Sequence, residues 1–188
     1  MRSYKRLLWG TEQHGERSIT MIDDCPHSLP HLTEVILPQY LEELTAAPLH
    51  SASDFGQPGR GSATLARRHG FTSDFQGLYV FYDGSIPQYV GISRGVMGRL
   101  RQHVCGRTQF DASLAYSMAA KAASHVTGSR EQRMQIAEFT QAFRDAQDRL
   151  RAMQVKFLKV DDVVTLYLLE VWVAMSLGTR EWNTFRTH

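Results

Sequence analysis

Gly77-Leu78-Tyr79-Val80-Phe81-Tyr82, then Asp83-Gly84-Ser85-Ile86-Pro87, then Gln88-Tyr89-Val90-Gly91-Ile92 is the stretch that decides the fold of this chain. Residues 77–82 are aromatic and β-branched, side chains that suit a pleated, half-buried surface, so they predict a strand. Asp83-Gly84 opens a turn, and Ser85 to Pro87 extend the loop. Residues 88–92 predict a second short strand, antiparallel to the first in a hairpin. On such a hairpin Tyr79 and Tyr89 can occupy neighbouring strands with both hydroxyls on one face.

Working outward, residues 96–104 have helical spacing, which puts Arg99 and His103, four apart, on one helix face. Residues 111–124 are Ala-rich and predict a helix, broken at Gly128. Ser129 with Gln132 is a capping-box pattern that opens a long helix to about Met153. Its apolar stripe, Ile136, Phe139, Phe143, Ala146, Leu150 and Met153, is expected to pack on the domain core; a coiled-coil dimer is the alternative. Residues 155–160 alternate apolar and basic and predict a half-buried strand. Asp161 or Asp162 can cap a following helix over about 163–177, with Gly178 as its stop. Upstream, residues 32–44 predict a short helix interrupted at Pro38, residues 45–63 read as a Gly/Pro/Ser/Ala-rich loop or linker, and residues 1–30 are irregular. The expected fold is α+β, a small three-stranded antiparallel sheet flanked by helices, with a helical insert at about 105–154. Residues 1–63 would form an N-terminal arm or extension, and 64–188 the main domain.

The chain has 188 residues, of which 43% are hydrophobic and 21% charged, enough for one domain with a core or a small core domain with an arm. It contains no run of about 18 apolar residues, so no membrane partner is expected. Residues 1–16 hold only a three-residue apolar run, too short for the apolar region of a signal peptide. Cys25 and Cys105 lack metal-type spacing and read as reduced thiols of a cytoplasmic protein. The net charge is only +2, but 17 of the 21 cations are arginines, whose planar fork suits phosphate. No acid lies between Asp83 and Asp111, a stretch that holds Arg94, Arg99, Arg101, His103 and Arg107. It reads as a local basic patch for nucleic acid, the alternative being an ordinary solvated helix face.

Gly77-Leu78-Tyr79, a second tyrosine ten residues on in Tyr89-Val90-Gly91, an arginine eight residues after Gly91, and a late Glu170 followed by Asn183 form an ordered set. This set resembles the GIY-YIG nuclease family, over about 77–188. The resemblance implies a metal-dependent endonuclease that hydrolyses phosphodiester bonds, with DNA placed before RNA as substrate. It implies Tyr79 as general base on water, helped by the field of Arg99 and His103, because a free phenol has a pKa near 10. Arg99 would clamp the scissile phosphate, with Arg94, Arg101 and Arg107 as further nucleic-acid contacts. His103 would orient Tyr89 or share a proton. Glu170, an acid among Leu168, Leu169, Val171, Trp172 and Val173, would be the sole protein ligand of a divalent metal, Mg²⁺ before Mn²⁺. Asn183 would hydrogen-bond near the phosphate or brace the site.

Each residue also has a plain reading: core tyrosines for Tyr79 and Tyr89, a surface arginine or histidine for Arg99 and His103, an ion pair for Glu170, a cap for Asn183. The chain departs from the family pattern at Leu78 and Val90, both apolar swaps, and at Ile92, where relatives often carry a cation. Trp182 could stack on a base or simply pack. No Cys/His cluster points to zinc, and neither a Walker loop nor a nucleophile elbow is present. Two other readings compete: a non-catalytic nucleic-acid-binding module on the same fold, and a nuclease toxin or defence effector whose partner is a cognate inhibitor protein. A homodimer is compatible with either.

Overall fold

The computed structural model describes residues 22–185. The expectations for residues 1–21, irregular chain without a signal segment, lie outside the described residues, as do the last three residues of the tail. After a 3₁₀ turn at Ile22–Asp24, helix α1 (Leu29–His31) continues through a π-wound turn (Leu32–Ile36) into α2 (Leu37–Ala46). The interruption expected at Pro38 takes the form of that π turn. Proline brings no N–H to the ladder, and the π turn directly ahead of it is where the i→i−4 pattern gives way.

Residues 45–63, expected as a loop, hold strand β1 (His50–Ser51), a 3₁₀ turn (Ala52–Gly56) and the start of α3 (Ser62–Arg68). Phe55 from this stretch is fully buried against the ring of Phe157, and Ala52 donates its N–H to the Met153 carbonyl. Part of the expected arm is thus built into the core. The hairpin is β2 (Gly77–Asp83) and β3 (Ile86–Ser93), and it is followed by α4 (Val96–Cys105). The connection is tighter than expected: Asp83 pairs with Ile86, and a bulge after Phe81 absorbs the extra residue next to Pro87, which has no N–H to give the ladder.

The helical region between α4 and the last strand comprises α5 (Ser113–Ala122), α6 (Arg130–Met134) and α7 (Ala137–Ala152). The Ser129/Gln132 capping box is present at α6. The single long helix expected from there is broken, because Ile136 adopts extended backbone ahead of α7. Phe139, Phe143, Ala146, Leu150 and Met153 are buried in the core, so those five members of the stripe are used within the domain, whereas Ile136, ahead of α7, is exposed. Strand β4 (Gln154–Lys159) and helix α8 (Val163–Leu177) complete the fold; Asp162 caps α8 by accepting the Thr165 N–H.

The architecture is α+β with a four-stranded antiparallel sheet in the order β1-β4-β2-β3, one strand more than expected. The extra strand is the two-residue β1 at the edge, too short to show a hydrophobic period. Alternation along the strands splits the core into two layers. Tyr79, Phe81, Val155 and Phe157 face α4, α5, α7 and the turn carrying Phe55. Leu78, Val80, Val90 and Val160 lie against α2 and α8. Among the described residues no helix is long and apolar enough to cross a membrane.

Candidate functional site

The hairpin register puts Tyr79 directly opposite Gly91, and Phe81 opposite Tyr89. Tyr79 and Tyr89 are therefore diagonal neighbours on one face, with ring centroids 6.2 Å apart. Both glycines that flank these tyrosines have steric reasons. A Cβ at Gly91 would lie 2.4 Å from Tyr79 Oη, and one at Gly77 would lie 1.9 Å from the Leu158 carbonyl oxygen. Gly91 is the slot in which the Tyr79 hydroxyl rests; Gly77 lets β4 close on β2.

Helix α4 lies over this face and delivers His103 and Arg99. Its first turn is held by Asp74, a residue the sequence reading passed over. Asp74 Oδ1 accepts the N–H groups of Phe75 and Met97, at 2.9 Å each, and Oδ2 accepts that of Gly98 at 3.0 Å. It does the work of an N-cap for a helix whose own N-cap, Gly95, has no side chain.

His103 Nε2 is 2.7 Å from Tyr79 Oη, both side chains being buried. The histidine's partner is thus Tyr79 and not Tyr89, although the Tyr89 ring stands 5.9 Å away. Burial, reinforced by the Arg99 charge, holds the imidazole pKa well below its ordinary value, so His103 is neutral. Its Nδ1 has no hydrogen-bond partner among the described residues. With the ring proton on Nδ1, Tyr79 donates to Nε2; with it on Nε2, His103 donates to Tyr79. Burial also drives the Tyr79 phenol well above its ordinary pKa, aided by Tyr89 and Glu170 and opposed by Arg99. Tyr89 is raised as well, by burial first and then by Glu170. Of the two groups expected to ease deprotonation of Tyr79, only Arg99 carries the required charge.

Arg99 is half-buried and firmly held. Its Nη1 donates to the Asp111 carbonyl at 2.9 Å and to Gln102 Oε1 at 3.2 Å, and its Nη2 donates to Ser113 Oγ at 2.7 Å. These acceptors are neutral, so they orient the guanidinium without cancelling its charge. Such a fixed, uncompensated cation is preorganised for an anion. Arg94, Arg101 and Arg107 are exposed, and none of them makes an ion pair among the described residues.

Glu170 projects from α8, half-buried, with its carboxyl raised by burial and no ion-pair partner among the described residues. Its charge acts to raise both Tyr79 and Tyr89, although α8 packs on the sheet face opposite to their rings. Among the described residues no group of three or more His, Cys, Asp or Glu side chains could hold a metal on its own. A lone desolvated carboxylate fits an ion such as Mg²⁺, which keeps several waters and takes further oxygens from a phosphate. Asn183 faces the edge of β3: Oδ1 accepts the Val90 N–H at 2.9 Å and Nδ2 donates to the Val90 carbonyl at 2.8 Å. It braces the strand that carries Tyr89, with both its amide groups in use.

The sequence-derived set thus divides into the buried pair Tyr79 and His103, the half-buried Tyr89 and Arg99 beside it, the exposed Arg94, Arg101 and Arg107, the carboxylate of Glu170 on α8, and a brace. No family model matches the chain, and no curated protein or solved structure matches it.

Proposed function

We propose that this protein is a metal-dependent endonuclease of the GIY-YIG type, acting on DNA in preference to RNA. The observation that carries the reading is the buried Tyr79–His103 hydrogen bond beside a guanidinium whose partners leave its charge uncompensated. Phosphodiester hydrolysis needs a proton taken from water and charge neutralised on the phosphoryl oxygens. A free phenolate is unfavourable at Tyr79, but a relay avoids it. As the attacking water gives a proton to Tyr79 Oη, Tyr79 gives its own to Nε2 of His103, and the negative charge of the bound phosphate offsets the burial and the Arg99 charge that disfavour the imidazolium. The hydroxide oxygen then bonds to phosphorus, the bond from phosphorus to the 3′ oxygen breaks, the leaving oxygen takes up a proton from solvent, and His103 returns its proton to solvent. Tyr79 is 1% exposed, so water reaches it only when neighbouring side chains are displaced. Arg99 binds the scissile phosphate, and Arg94, Arg101 and Arg107 contact flanking phosphates. Glu170 would anchor Mg²⁺ or Mn²⁺, which supplies charge neutralisation at the phosphoryl and leaving oxygens.

The burial of Tyr79 and His103 favours a second reading, a nucleic-acid-binding module that uses the arginines without cutting. Supercoiled plasmid incubated with Mg²⁺, Mn²⁺ or EDTA separates the two. The nuclease reading expects nicking or linearisation that EDTA and Glu170→Ala abolish, with DNA binding retained in the variant. Full cleavage by Glu170→Ala removes the metal-ligand role. Binding without cleavage of plasmid, branched DNA or RNA establishes the module instead.

A further inference from the structure

A cavity of about 380 Å³ lies between α5, α7 and the segment after α8, lined by Met118, Lys121, Asp145, Arg149, Glu181 and Trp182. We propose that it takes one unpaired base of the nucleic-acid strand bound at the candidate site, an inference that rests on the nucleic-acid reading above. Its volume falls near the lower end of small-molecule pockets, about 300–1,000 Å³.

The lining has the chemistry of a base site. The Trp182 ring packs on the same core layer as Tyr89. Its Nε1 is buried and has no hydrogen-bond partner among the described residues, so the ring offers the cavity its face and not its N–H. The Lys121 ammonium stands over the ring at 5.1 Å, on a side chain 64% exposed. It occupies the position a stacked base would take and is free to swing to a phosphate. Its bond to Glu181 at 2.7 Å, like that of Arg149 to Asp83 at 3.3 Å, is an exposed ion pair, weak enough to exchange for a phosphate contact. Glu181 and Asp145 remain as acceptors for exocyclic amino groups.

The cavity is also fixed to the candidate site at both ends. Trp182 precedes Asn183, which is clamped to Val90 beside Tyr89. Helix α5 begins at Ser113, the partner of Arg99, and carries Lys121 eight residues on. At about 1.5 Å per residue the two positions are about 12 Å apart along the helix. A stacked strand advances about 3.4 Å per nucleotide, so the base would lie three or four nucleotides from the phosphate at Arg99.

Titration of the full chain, in EDTA, with a fluorescein-labelled 12-nucleotide single strand tests this. Anisotropy reads binding, and tryptophan emission reads stacking on the indole. The expected result is quenching in the wild type that is mostly lost in Trp182→Phe, whose phenyl ring still stacks and keeps Kd within about threefold. Trp182→Leu, which keeps bulk but no π face, should bind about tenfold more weakly, from the ~1–3 kcal/mol typical of base stacking. Undiminished quenching in Trp182→Phe overturns the proposal, as does wild-type affinity in Trp182→Leu. Plasmid cleavage without any oligonucleotide binding overturns it and leaves the nuclease reading standing; absence of both removes the two together.

Discussion

Tyr79 and Gly91 face each other across the β2–β3 pair, and the tyrosine hydroxyl occupies the space where any other residue would carry its Cβ, 2.4 Å from Oη. The hydroxyl is held there by His103 at 2.7 Å. Gly91→Ala must therefore displace a fully buried ring and stretch or break that bond. Overpacking of this kind costs about 1–3 kcal/mol. Urea unfolding at neutral pH should show the loss, and the His103 ring resonances should shift in NMR spectra. An alanine variant as stable as the wild type, with unshifted His103 signals, would contradict the slot.

His103 makes stability depend on pH in a definite direction. Burial, with Arg99, depresses its pKa below the ordinary 6.5, so on acidification the unfolded chain takes up the proton first. Its contribution to stability is full above about pH 6.5 and declines as pH falls below that, by up to about 1.4 kcal/mol per pH unit. His50 and His69, also lowered by burial, act with the same sign. His103→Gln, which can still hydrogen-bond Tyr79, should flatten the stability profile between about pH 5 and 6.5 without levelling it. Equal slopes in wild type and variant would mean that His103 takes up its proton as readily in the folded as in the unfolded chain.

The parts of this fold that the sequence discloses are those whose causes are local. The hairpin follows from residues 77–92, the α6 cap from Ser129 and Gln132, and the bounds of α8 from Asp162 and Gly178. Tyr79, Tyr89, Arg99 and His103 are brought together because strand alternation and helical spacing had already put each on a definite face. Features set by distant partners escape such a reading. β1 is too short for a period, and Phe55 looks like one aromatic in a polar loop until its contact with Phe157 is known. Asp74 reaches amides 23 and 24 residues away, and Asn183 reaches a strand 93 residues away. The direction of the Tyr79 pKa shift depends on burial, which no spacing of charged residues reports.

Asp74 supports the helix that carries both Arg99 and His103. Asp74→Ala leaves the Met97 and Gly98 N–H groups without their acceptor and removes a negative charge from the start of α4. The expected loss is about 1–2 kcal/mol, the usual cost of deleting a cap. Hydrogen exchange at Met97 and Gly98 should accelerate ahead of the rest of α4. Asp74→Asn, which keeps one carbonyl oxygen, should fall between. Unchanged exchange at both amides in Asp74→Ala would remove the capping role.

Asn183 separates a brace from a phosphate ligand. Its amide group both accepts from and donates to Val90, copying the pairing of a neighbouring strand at the free edge of β3. Removing it leaves a partly buried N–H and C=O without partners, which costs about 1–3 kcal/mol. Asn183→Ala should therefore expose the Val90 amide to rapid hydrogen exchange and loosen residues 179–185, in the absence of any nucleic acid. Asn183→Asp keeps the acceptor for the Val90 N–H but sets a carboxylate against the Val90 carbonyl, so it should be at least as damaging. A residue whose role was to bind phosphate would give a different pattern: Asn183→Ala would leave exchange and unfolding unchanged and weaken only DNA affinity. If Val90 stays protected in the alanine variant, the brace is wrong and the amide must be free to turn towards a substrate.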